Sequence, residues 1–165
     1  MTETARVADL ITRVVDGDPW HGSTVLALLH GVSPQIAAAH PIPGVHSIWE
    51  LVLHMTGWAH EAGARLAGEP AGEPKGGDWP AVTDVSRAAW THAVTALVAS
   101  HEALAAAVRV SNESALDTAV RDPRARAAGT GLSRYLTLHG LVHHTTYHAG
   151  QIAVLVKAAQ AMMSP

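Results

Sequence analysis

The stretch HHTTYHAGQI, residues 143–152, places three imidazoles within six positions, and a fourth, His139, lies one helical turn upstream. Neutral imidazole carries protons near neutral pH and is the commonest protein ligand for divalent transition metals. At about 100° per residue, His144 and His148 lie about 40° apart on a helix and continue the series Leu141, His144, His148, Ile152, Leu155, Ala159. That stripe should face a core. His139 and His143 repeat the spacing on a face roughly 140° away, shared with Thr146, Gly150 and Lys157. They are expected to face outward or toward a partner chain.

Two imidazoles at i and i+4 can direct ring nitrogens to one point, as in helical metal sites. An isolated pair of this kind is more commonly two core histidines held by their neighbours. Side by side in an apolar stripe, however, each desolvated ring needs a partner. A third ligand has to come from another helix, and His54, at the edge of an apolar face between Leu51 and Trp58, is the best placed. Competing chemistries fail on spacing. His60 and His101 are each followed by Glu, but neither HEAGA nor HEALA supplies the second His of a zinc protease. GTGLSR lacks a third glycine, and neither a phosphate-binding loop nor a GxSxG elbow occurs. The absence of Cys removes disulfides, thiolate nucleophiles and thiolate zinc sites together.

Helices must position these groups. The 165 residues fit one domain, residues 1–165, and the 48% hydrophobic content, without Phe, suits helices packed through small side chains. No period-two alternation marks a strand. A first block (ARVADLITRVV) is broken by GDPWHG and resumes in STVLALLHG and SPQIAAAH. After PIPG, a second helix opens with a capping box, Ser47 and Glu50, and carries Ile48, Leu51, Val52, Met55, Ala59, Ala62 and Leu66 on one side. EPAGEPKGGDWP, residues 69–80, reads as a surface loop that is long for a bundle connection. A third helix, opened by Thr83 or Asp84, has Val85, Ala88, Ala89, His92, Ala93, Ala96 and Leu97 near one stripe, and a last helix runs from about 132 to 159. The expected fold is all-α, a four-helix bundle with a broken first helix.

With 11 Lys plus Arg against 14 Asp plus Glu, the chain shows no electrostatic footprint for nucleic acid or an anionic membrane. It has no signal-like start and no apolar run of spanning length. The cytoplasm is the expected compartment.

HSIWELVLHMTGW, paired with HHTTYHAGQIAVL, resembles the two signature segments of the DinB/YfiT superfamily, and GDPWHGSTVLALLHGVSPQIAAAHPIPG is similar to its usual lead-in. The resemblance runs from about Trp20 to Leu155, with 69–80 and 111–130 as variable parts. It implies a four-helix bundle, often a homodimer, holding a divalent metal on one histidine of the second helix and two on the last. By position these are His54, His144 and His148. Three neutral ligands leave an ion its 2+ charge and an open position, where a water would have its pKa lowered toward ~7. Zinc and nickel both suit imidazole.

The resemblance implies two chemistries on a small-molecule substrate: hydrolysis, or S-transfer with a low-molecular-weight thiol such as bacillithiol, mycothiol or glutathione. The missing Cys agrees with a cosubstrate that brings the sulfur. Further pocket candidates are Trp58, one turn from His54; Gln151, three residues after His148; and Glu50 and Glu61, as a base or as support for a ligand. Helix capping and a solvated face are the simpler account of the two glutamates. The rival reading is a noncatalytic, dimerising, stress-linked protein in which the ion ties the second helix to the last.

Overall fold

The structure is a computed structural model that describes residues 1–123 and 131–163; the expected variable connection at 111–130 falls partly outside them. Four long helices, α1 (Glu3–Val15), α4 (Ile48–Leu66), α5 (Arg87–Val110) and α6 (Arg134–Met163), form the bundle. Two short ones, α2 (Val25–Leu29) and α3 (Pro34–Ala38), lie between α1 and α4, so the first block is broken as its Gly and Pro residues predict. Helices α4 and α6 are neighbours, and each also borders one or both of α5 and α1. No strand occurs among the described residues, and the expected all-α bundle is what the chain forms.

The starts of the helices follow from side-chain caps. Thr2, Thr24, Ser33, Ser47 and Ser86 each accept a backbone N–H from the first turn, and Ser47 with Glu50 completes the capping box. Two expectations are corrected here. Helix α5 begins at Arg87, after Ser86, because the Asp84 carboxylate accepts from the Ser86 N–H and hydroxyl and holds a turn ahead of the helix. Its buried stripe is Trp90, Ala93, Leu97, His101, Leu104 and Val108, whereas Val85, Ala88 and His92 are exposed. Trp90 sets this phase: it packs on Trp49, and its indole N–H donates to the Val32 carbonyl at 3.0 Å. Helix α5 is long and apolar enough to span a membrane, but core helices pass the same test.

The core falls into two apolar halves. One joins Val25, Ile48, Leu51, Met55, Leu97, Ile152 and Leu155, and the other Val7, Ile11, Ala59, Leu104, Val108 and Leu138. Between them lies a polar layer: His54 on α4, Ser100 and His101 on α5, and Thr145 and His148 on α6, all buried. Polar groups interrupt a core at low energy only where they are partnered.

Residues 69–80 depart from the expected surface loop. Many of them are exposed, but Ala71 and Pro74 are buried, and a Cβ at Gly57 of α4 would lie 3.1 Å from Pro74. The Ala71 N–H also donates to the Arg121 carbonyl, so the segment is a strap laid across α4.

Candidate metal centre

Helix α4 brings His54, and α6 brings His144 and His148, to one point in the polar layer. Nε2 of His144 lies 2.9 Å from Nε2 of His54 and 3.0 Å from Nε2 of His148. One nitrogen from each of the three residues falls within 4.8 Å of the others, a grouping able to hold a metal ion. His54 and His148 are 4% and 5% exposed, so their rings cannot exchange these contacts for bulk water.

The outer nitrogens decide which atoms face inward. Nδ1 of His54 lies 2.6 Å from the Asp78 carbonyl oxygen, which can only accept, so Nδ1 carries the proton and Nε2 presents a lone pair. Nδ1 of His148 lies 2.6 Å from Gln151 Oε1 and is assigned the same tautomer. At most one proton, on His144, then lies among three converging nitrogens. With that proton on Nε2, Nδ1 of His144 is a buried acceptor that lacks any partner among the described residues. A cation bound by three lone pairs, with the His144 proton then on Nδ1, relieves the meeting of the three Nε2 atoms, and the donor set fits a divalent transition metal.

Electrostatics disfavour the charged form of His144 and His148. Burial first, then the proximity of His148 and His54, pushes His144 down to about 4, and burial likewise lowers His148 against the raising effect of Gln151.

Two tryptophans enclose the cluster. The Trp79 ring stacks on His54 at 3.8 Å with 4° between planes and also stacks on His46 at 3.6 Å. Trp58 meets His54 and His144 edge-on at 6.3 and 6.2 Å, and its indole N–H donates to Asp78 Oδ1 at 2.8 Å. The strap thus holds His54 through the Asp78 carbonyl, while Trp58 holds Asp78. Beside the cluster opens a cavity of about 420 Å³ whose wall includes His54, Trp58, Asp78 and His144.

A family model described as the DinB superfamily matches residues 20–152. The chain belongs to the DinB superfamily. No curated protein and no solved structure gives a significant match.

In this DinB-superfamily chain the remaining sequence candidates divide by position. Gln151 stands behind His148 and does not line the cavity; its contact orients the ring. Glu50 is engaged at the start of α4 by Ser47, His40 and His46. Burial acts to raise its carboxyl, but the Ser47 N–H and the bond from His40 outweigh this and leave it lowered. Glu61 accepts from Arg65 Nε at 2.9 Å and from the Gly72 N–H at 2.7 Å, fastening the strap to α4. Neither glutamate joins the histidine group.

His143 is exposed as expected, whereas His139 is half-buried against Tyr135, with ring centroids 4.3 Å apart. Asp78 and Trp79 escaped the sequence reading because their loop looked solvated. The available signal was a tryptophan within an otherwise Gly-, Pro- and acid-rich run.

Proposed function

We propose that this protein is a metal-dependent enzyme in which His54, His144 and His148 hold a divalent ion, Zn or Ni, and act on a small-molecule substrate. The observation that carries this reading is the convergence of three Nε2 atoms, with the His54 tautomer fixed from behind by the Asp78 carbonyl. When bound, the ion would supply the Lewis acidity that makes a nucleophile of water or of a small thiol near neutral pH.

The chain's own groups supply the rest. Asp78 and Gln151 hold the ligand rings in the metal-binding tautomer. Trp58 and Trp79 shield the cluster from water. Asp78 is the carboxylate in the cavity wall, and the lone pairs not used by Trp58 can accept the proton released when water or a thiol is activated. The protein would act in the cytoplasm, as a homodimer, without nucleic acid.

Incubating zinc- or nickel-loaded protein with small thiols and a chromogenic electrophile, beside a panel of esters and amides, tests the reading. Turnover in either panel that is lost in His148→Ala is the expected result. Silence in both would leave the ion a purely structural tie between α4 and α6.

The strap is expected to matter to the ligands. Gly57→Val places two further methyls against Pro74, where even a Cβ is already tight. Lifting the strap withdraws the Asp78 carbonyl from His54, and zinc affinity should fall about tenfold or more. A chelator competition titration reads this directly, and unchanged affinity would show that the strap does not orient His54.

A further inference from the structure

The cavity beside the histidines is a slot. On α4 its wall steps through His54, Trp58, Ala62 and Arg65, residues that stay on one side of a helix. On α6 it descends the opposite way, from His144 through Leu141 and Gly140 to Leu136. At 1.5 Å per residue, the span from His54 to Arg65 is about 16 Å along the axis.

The two ends differ in chemistry. At one end are His54 and His144, two imidazoles of the cluster. The middle is walled by Trp58, Ala62, Leu136 and Leu141, and the Thr137 hydroxyl is spent on the Ser133 carbonyl at 3.0 Å. At the far end stands Arg65, whose guanidinium lies 5.4 Å from the Trp58 ring centroid. Glu61 takes its Nε and the Gly72 carbonyl its Nη2, and Glu61 lines a different cavity. The bonds that fix the guanidinium therefore leave Nη1 to meet a ligand.

We propose that this slot selects an elongated substrate with an apolar middle and a terminal carboxylate, the carboxylate received by Arg65 and the reacting group delivered to the histidines. This rests on the metal-centre reading above. An apolar chain gains by leaving water along the walls, and a carboxylate at a fixed guanidinium makes charge-assisted bonds that a methyl end cannot.

The test uses three hydroxamates, whose head groups seek a metal, titrated calorimetrically into zinc-loaded protein: acetohydroxamate, octanohydroxamate, and the monohydroxamate of octanedioic acid. Both long probes should bind at least tenfold tighter than acetohydroxamate, and the carboxylate-ended one about tenfold tighter than the methyl-ended one.

The double variant Glu61→Gln/Arg65→Gln, which removes both charges together, should erase the second preference, read as the ratio of the two long probes so that any loosening of the strap these residues fasten acts on both alike. Arg65→Lys should retain the preference. A Cβ at Gly140 meets no heavy atom within 4 Å, so Gly140→Leu fills the slot without disturbing the bundle and should weaken only the long probes.

Long probes no tighter than acetohydroxamate, a carboxylate preference that survives the double variant, or indifference to Gly140→Leu would each overturn the proposal. Failure of acetohydroxamate to bind at all would instead defeat the metal-centre reading, and this proposal with it.

Discussion

Zinc added to the metal-free protein is expected to raise its unfolding free energy by about 4 kcal/mol once free zinc exceeds Kd a thousandfold, and His144→Ala should abolish that gain. The physical cause is specific to the arrangement of the ligands. Without a cation, three ring nitrogens meet at 2.9 and 3.0 Å with at most one proton among them. Removing His144 relieves that crowding, and the vacated space opens into the slot, where water can fill it. The variant's metal-free stability should therefore stay close to that of the parent, although its response to zinc is gone. Denaturant titrations with chelator and with zinc separate the two quantities. A variant that still gains the full increment would mean that the ion sits elsewhere.

Acid is expected to weaken the metal-free fold well above the carboxylate range. His101, buried between α5 and α6, is lowered from 6.5 to about 4, chiefly by burial and despite its Nδ1–H bond to the Leu97 carbonyl. The folded chain keeps it neutral, whereas the unfolded chain takes up a proton below pH 6.5. Stability is thus full above pH 6.5 and declines as pH falls toward 4. At pH 5 the loss from this group alone is about 2 kcal/mol. His139, His144 and His148 are lowered as well and add in the same direction. Urea unfolding in chelator at pH 7.5 and pH 5 measures the total, and His101→Met should shrink the difference by about the stated amount. An equal pH response in that variant would show that His101 titrates in the folded state.

How much of this was legible in the sequence depended on how local each determinant is. The capping box at Ser47 and Glu50 and the stripe from Leu141 to Ala159 are set by spacing along one helix, and both form as read. That His144 and His148 turn inward follows from the same stripe, and His54 comes to meet them across the α4–α6 contact. The phase of α5 was misread because its Ala-rich first turns offer no bulky marker except Trp90. That residue's partners, Trp49 and Val32, lie far away in the chain.

The strap was least legible. Its Gly, Pro and acidic residues are those of any exposed loop, and its importance comes from one carbonyl, that of Asp78, which no residue type announces. Arg65 likewise carries no mark of its role in the sequence, because only the antiparallel run of α6 places it at the far end of the slot.

Metal stoichiometry tests the central claim most directly. Parent protein, His54→Ala and His143→Ala would each be loaded with zinc, desalted and analysed by plasma mass spectrometry. The structure predicts a single ion per chain in the parent and in His143→Ala, whose ring is exposed and apart from the cluster, and none in His54→Ala. Full occupancy in His54→Ala, or its loss in His143→Ala, would contradict a centre built from His54, His144 and His148.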